Sequence, residues 1–291
     1  MNFKQKQLEY INLFESCLSS FEREYCSQSN TLKQSMFYSL NAGGKRLRPT
    51  LMFSICDSLG VDLEKVLPFA LAIEMIHTYS LVHDDMPSLD NDVLRRGKPT
   101  THVKFGEGIA LLSGDGLLNL AVECALNSTF ESDKIVKCLK VLLNSSGGNG
   151  MVAGQVLDLE NEKNSVNDEK TLEIIYENKT CKLIIAPLVI GGIISNYTDL
   201  DLLTEFGKHY GYLFQLTDDA LDIIGKEENL GKSIGKDENS DKLTAVKVYG
   251  IKGCIQRIEE ECKICLSILD KLQFNCEFLK DLVLETKNRE K

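Results

Sequence analysis

The chain has 291 residues, 43% of them hydrophobic, and a formal net charge of −10. That balance argues against nucleic acid as the main partner, because phosphate backbones are bound by basic faces. An anionic substrate would have to be drawn in by a local group of Lys, Arg and metal, not by the overall field.

No linker or low-complexity run interrupts the chain, so a single domain over residues 1–291 is expected. The start, Met1 to Gln7, lacks the apolar core of a signal peptide, and no prenylation or retrieval signal ends the chain. Helical spacing of apolar residues runs through 3–24, 32–41, 49–59 and 67–82, with Pro68 suited to a first turn. It resumes at 107–128, 133–145, 168–194, 199–225, 241–250 and 252–272. The longest apolar run, Leu183 to Ile194, is broken by Pro187 and falls short of the ~20 residues a membrane span needs. It reads as a buried helix, and no membrane span is expected. Alternating patterns are scarce, the best being Lys247-Val248-Tyr249. The fold class is therefore all-α, a single large helical bundle.

Ten cysteines without a secretion signal read as reduced thiols, which places the chain in the cytoplasm. Cys262 and Cys265 form a CxxC pair inside a helical pattern, with no second pair and no nearby histidine. Helix packing explains them better than zinc or redox chemistry.

The breaks between helices carry the chemistry. Gly43-Gly44 ends one helix before the cations Lys45, Arg46 and Arg48. The helix of 67–82 delivers Asp84-Asp85-Met86-Pro87-Ser88-Leu89-Asp90. Asp84 and Asp90 do not share a face of a straight helix. Pro87 can end the helix, letting Asp90 swing back beside Asp84. An acidic turn after a helix is the plainer alternative. Arg95-Arg96-Gly97-Lys98-Pro99-Thr100 follows as a basic turn, and 145–150 is a plain loop. A second cluster, Asp218-Asp219-Ala220-Leu221-Asp222, puts Asp218 and Asp222 on one helical face, where like charges repel unless a cation sits between them. A solvated helix end is the alternative, though Leu213, Phe214, Leu216, Leu221, Ile223 and Ile224 flank the site.

The stretch Tyr79 to Asp85 is echoed by Leu213 to Asp219, each an apolar helix ending in a double Asp. Two such helices related by pseudo-symmetry across one cavity would make a polynuclear magnesium site completed by substrate phosphates. Lys179, Lys182, Lys232, Lys236 and Lys242 add cations suited to diphosphate oxygens. The polar stretch 226–240 is expected to be mobile until an anion orders it. His83 lies against the first cluster and could hydrogen-bond it. His77 could equally be a satisfied core histidine. No GxSxG or P-loop pattern appears.

These motifs, with Ser113-Gly114-Asp115, Gly150 to Asp158, Lys179-Thr180, Phe214 to Asp222 and Leu230-Gly231-Lys232, resemble the trans-isoprenyl diphosphate synthases, most closely the bacterial farnesyl type. The resemblance covers most of the chain in the family's order. It implies an isoprenoid-synthase helical fold around a central cavity, and head-to-tail condensation of isopentenyl diphosphate with dimethylallyl and geranyl diphosphates. It implies Mg2+, three ions per site with diphosphate bound, with Mn2+ as a substitute, and a homodimer. Asp84, Asp85, Asp90, Asp218 and Asp222 fall in the metal clusters. Arg95, Lys179, Gln215 and Lys232 correspond to allylic-diphosphate contacts, with Lys242 a further candidate. Lys45, Arg48, His77 and Arg96 correspond to the isopentenyl-diphosphate site. Lys179, the Thr180 carbonyl and Gln215 would stabilise the allylic cation. Tyr79, with Ser80 one helical turn before Asp84, would stop the product at fifteen carbons.

Two departures stand out: Cys181 occupies a position where the family often has Gly, and Asp237 to Val246 matches only loosely. Geranylgeranyl or geranyl diphosphate synthesis is the alternative product outcome. A class I terpene cyclase would lack the isopentenyl-diphosphate set. A non-catalytic subunit would be expected to have lost one Asp cluster. A di-iron bundle would need Glu-x-x-His pairs that are not suitably placed.

Overall fold

A computed structural model describes residues 2–229 and 242–289. The expectation for 226–240 falls largely outside them, as do Lys232 and Lys236. Among the described residues the elements are α1 (Phe3–Glu24), α2 (Asn30–Leu40), α3 (Leu47–Ser58), α4 (Leu63–Asp84), β1 (Leu94–Arg95), β2 (Lys98–Pro99), α5 (Thr101–Phe105), α6 (Glu107–Leu126) and α7 (Ser132–Ser146). There follow α8 (Met151–Asn164), α9 (Glu169–Tyr176), a π turn (Glu177–Cys181), α10 (Lys182–Ile194), α11 (Leu200–Asn229), α12 (Ala245–Leu269) and α13 (Glu277–Lys287). The all-α expectation holds. Lys247-Val248-Tyr249 is helical, because Thr244 caps α12 by accepting from the Lys247 N–H at 3.3 Å.

Contacts divide the chain into two compact units, Met1–Leu139 and Lys140–Lys291. In the first, α4 packs against α1, α2, α3 and α6. Asp62 caps its start by accepting from the Glu64 N–H at 3.1 Å. Pro68 therefore lies inside the helix, beyond the first turn where the sequence suggested it. There it removes one backbone bond, that to the Glu64 carbonyl. Phe69 through Ile76 are buried without interruption. By length and composition α4 and α6 could each cross a membrane, although charged residues such as Glu74 and Asp115 interrupt them. Two-thirds of α4's apolar window (67%) is buried, so its apolarity supplies a core. In the second unit α11 packs against α10, α12, α13 and the π turn. Leu183 to Gly192 are all buried, as expected of the run read as a core helix.

Candidate functional site

In the first unit α4 ends at Asp84, one residue before the chain doubles back. The Asp90 N–H donates to the Asp84 carbonyl at 2.9 Å, and the Asn91 N–H to that of Met86 at 3.0 Å. Asn91 takes φ 52°, completing the reversal. The turn expected from Pro87 is present, and Asp84 and Asp90 are neighbours despite their spacing.

Asp85 is different. It is 3% exposed, and both its oxygens accept from Arg95 Nε at 2.7 and 2.9 Å, with Nη2 2.6 Å away. Burial pushes its carboxyl up, and Arg95 opposes that shift. Arg95 and Arg96 sit on a hairpin in which Leu94 pairs Pro99 and Arg95 pairs Lys98. Its two-residue turn, Arg96-Gly97, has φ 52° and 74°, the left-handed pair of a type I′ connection. The Tyr38 hydroxyl donates to the Pro99 carbonyl at 2.7 Å, fastening the hairpin to α2.

The basic run before α3 divides by burial. Arg46 is 2% exposed and donates to Glu15 at 2.7 Å, Glu74 at 2.9 Å and the Leu40 carbonyl at 2.7 Å. It joins α1, α2 and α4 and is no free cation. Lys45 is exposed. Arg48 keeps its Nε buried without a hydrogen-bond partner, and burial lowers its guanidinium to about 10. Arg96 donates to the Gly43 carbonyl. Gly44 has φ 133°, a backbone region that favours glycine, and a Cβ there would displace the Arg96 guanidinium 2.7 Å away. His77 belongs to the same basic group. Burial, then Arg48 and Arg96, hold its imidazole well below its usual value, so it is neutral.

Five residues before Asp84, Tyr79 is 7% exposed. Its ring meets the His83 ring edge-on at 5.9 Å and 72°. His83 donates Nε2–H to the Leu111 carbonyl at 3.0 Å. That backbone partner replaces the carboxylate partner suggested by sequence. The Ser80 hydroxyl donates to the His77 carbonyl at 2.8 Å.

In the second unit Lys179 and Thr180 lie in the π turn, a distortion that recurs at functional sites. Gly154 of α8 passes so close that a Cβ there would strike the Lys179 backbone. Lys179 Nζ donates to Asp158 at 2.6 Å, and Asp158 is 6% exposed. The Thr180 hydroxyl donates to Gln215 Oε1 at 3.0 Å. Gln215 Nε2 donates to Asp219 at 3.0 Å. Asp218 is ion-paired to Arg289 near the chain's end, and Asp222 is exposed. Lys242 uses its carbonyl to accept from Lys247 Nζ at 2.6 Å.

Among the described residues no three His, Cys, Asp or Glu side chains gather as a ready-made metal cage. Cys262 and Cys265 are buried free thiols on α12.

The family model for polyprenyl synthetase matches residues 29–277. The chain belongs to the polyprenyl synthetase family. Its chemistry is prenyl transfer. A farnesyl diphosphate synthase of Micrococcus luteus is 40% identical over 285 residues, covering 97% of each chain. A geranylgeranyl diphosphate synthase of Cyanophora paradoxa is 40% identical over 261 residues, covering 87% of each. The crystal structure of a Helicobacter pylori geranyltransferase complexed with magnesium and isoprenyl diphosphate superposes with a TM-score of 0.82. It is 33% identical and covers 97% of this chain and 96% of that one.

Cys181, where the family resemblance implies Gly, is accommodated beside Gly211. Cys181 is fully buried, and it packs where Gly211 has no side chain; a Cβ on Gly211 would lie 2.6 Å from its Sγ. Sequence reasoning missed Asp158, which holds Lys179. It also missed that Glu74 joins Glu15 in engaging Arg46, and that Tyr176 bonds Asp219. Asp158 was within reach only as the last residue of the Gly150 to Asp158 motif. The others depend on contacts that no local spacing encodes.

Proposed function

We propose that this chain condenses isopentenyl diphosphate with dimethylallyl and then geranyl diphosphate, releasing farnesyl diphosphate and pyrophosphate. The observation that carries this reading is the backbone reversal after α4, which makes neighbours of Asp84 and Asp90. Two carboxylates in that relation, and Asp218 with Asp222 on one helical face, suit Mg2+, which takes few protein ligands and completes its shell with water and phosphate oxygens. When bound, Mg2+ neutralises charge developing on the departing diphosphate.

Asp84, Asp90, Asp218 and Asp222 hold the metal ions, and Asp85 serves the cluster by orienting Arg95. Arg95, Lys179 and Lys232 bind the allylic diphosphate, with Lys242 as a further contact. Lys45, Arg48, Arg96 and neutral His77 bind isopentenyl diphosphate. Arg48, with a buried donor lacking a partner, is primed for an anionic oxygen. Thr180 and Gln215 present oxygen dipoles to the allylic cation. The proton lost from the isopentenyl carbon leaves with pyrophosphate. The Tyr79 ring, braced edge-on by His83, ends chain growth at fifteen carbons. Exposed Leu111 and Leu112 of α6, at 48% and 55%, would be covered in a homodimer, which light scattering after gel filtration tests.

The decisive experiment is incubation with dimethylallyl and isopentenyl diphosphates plus Mg2+, followed by product chromatography. A fifteen-carbon product is expected, and turnover without isopentenyl diphosphate would instead mark a cyclase. Tyr79→Ala should lengthen the product, and an unchanged profile would remove Tyr79 as the stop.

A further inference from the structure

The second aspartate of the second cluster has no task in the scheme above. It follows Asp218 directly, but an α-helix turns about 100° per residue, so Asp219 leaves α11 on another side. It is 8% exposed, whereas the Asp218 side chain is 33% exposed. Three of its roughly four acceptor sites are already used. Oδ2 accepts from the Tyr176 hydroxyl and from the Ala245 backbone N–H at 2.6 Å. Oδ1 accepts from Gln215 Nε2 at 3.0 Å. A carboxylate enclosed by three donors is poorly placed to ligate a metal as well.

The consequence falls on Gln215. The two ends of an amide are chemically distinct: the NH2 can only donate and the oxygen can only accept. A carboxylate can only accept, so Asp219 selects the NH2 end of Gln215. The oxygen is thereby turned to Thr180, whose hydroxyl donates to it at 3.0 Å, and one lone pair of that oxygen is left over. Without the carboxylate at 219, the amide could rotate by half a turn and present NH2 in place of oxygen.

We infer that Asp219 and Tyr176 are positioning residues for prenyl transfer: together they fix the sense of the Gln215 amide so that its oxygen faces the allylic group. Tyr176 acts through Asp219, holding the carboxylate plane from the far side, and neither residue touches substrate. The inference rests on the reading that Gln215 lies beside the allylic substrate.

The test is steady-state kinetics on the full chain with Asp219→Asn, Tyr176→Phe, Gln215→Leu and the double variant Tyr176→Phe/Gln215→Leu. Geranyl diphosphate, isopentenyl diphosphate and Mg2+ are titrated separately. Asp219→Asn should lower kcat about 10- to 100-fold, the scale of one misplaced electrostatic contact. Its half-saturating Mg2+ and its KM for isopentenyl diphosphate should stay within about two-fold of wild type. Tyr176→Phe should lower kcat several-fold in the same pattern. In the Gln215→Leu background the Tyr176→Phe change should add less than about two-fold, because residues acting as a unit are not additive.

A ten-fold or larger rise in half-saturating Mg2+ for Asp219→Asn would make Asp219 a ligand and overturn the inference. So would an undiminished kcat in Tyr176→Phe, or a full multiplicative loss in the double variant. If Asp219→Asn does not fold, as judged by circular dichroism melting, Tyr176→Phe and the double variant decide alone. A wild-type kcat in Gln215→Leu would instead fail the placement of Gln215, and absence of wild-type turnover would fail the proposed function itself.

Discussion

The two aspartate clusters look like copies in sequence and are built differently. In each, the second Asp of the pair is turned inward: Asp85 is 3% exposed and Asp219 is 8% exposed. Asp85 is compensated by a full positive charge, the Arg95 guanidinium. Asp219 is compensated by neutral donors alone, from Tyr176, Gln215 and the Ala245 backbone. The helices differ too. α4 stops at Asp84, three residues before Pro87, while α11 carries no proline and runs on through Asp222. The comparison teaches that a double Asp is two functions in one motif. One carboxylate stays half-buried, and its neighbour ties the motif to another group: a cation in the first case, an amide among neutral donors in the second.

The largest expected effect tests the half-buried first member of each pair. Asp84→Ala and Asp218→Ala should each lower kcat about 100- to 1,000-fold, the loss typical of removing one element of transition-state charge stabilisation. A loss below ten-fold at either position, measured at saturating Mg2+, would break the equivalence of the two clusters.

The inward members should differ in stability. Asp219→Ala leaves the Tyr176 hydroxyl and the Gln215 NH2 without their acceptor, while the Ala245 N–H keeps the Tyr176 oxygen at 2.9 Å, and should cost about 2–4 kcal/mol, at 1–3 kcal/mol for each donor that water does not reach. Asp85→Ala strands Arg95. Breaking a fully buried pair costs about 3–5 kcal/mol, and the 32% exposure of the Arg95 side chain reduces that to roughly 2 kcal/mol. Urea denaturation of both variants checks the order; equal losses would remove the distinction between charged and neutral compensation.

The smallest effect concerns His77, whose counterpart in the echo is Gly211 and not a titrating group. Its folded-state value is depressed by burial and by Arg48 and Arg96. A depressed value means that the stability contributed by the neutral imidazole is present above about pH 6.5 and is lost as pH falls toward the folded-state value. Between pH 7 and pH 5 the wild type should lose up to about 1.4 kcal/mol per pH unit from this group. His77→Gln should flatten that slope, and parallel pH profiles would show that His77 is not under this pressure.

Much of the helical framework was legible. α1, α2, α3, α6, α7 and α11 match the apolar periodicity closely, because an amphipathic or buried helix writes its contact face into the chain. α13 carried the same signal in Leu279, Leu282, Val283 and Thr286 and was overlooked. α8 was not readable in this way. Its buried stripe is Met151, Gly154, Asp158 and Asn161, which has helical spacing but little hydrophobicity. The hairpin of Arg95 and Arg96 was read as a turn, since two-residue strands have no period to detect.

The sequence by itself determined that the chain is helical, that a proline follows one acidic pair and none follows the other, and that Asp218 and Asp222 share a face. Those outcomes depend on neighbours within a few positions, where backbone geometry is fixed. Only the tertiary structure decided that Asp85 and Asp219 turn inward while Arg46 is consumed by Glu15 and Glu74. Adjacent aspartates are chemically identical, and what separates them is a donor arriving from a distant element: Arg95 from the hairpin, Tyr176 from α9, Ala245 from the start of α12.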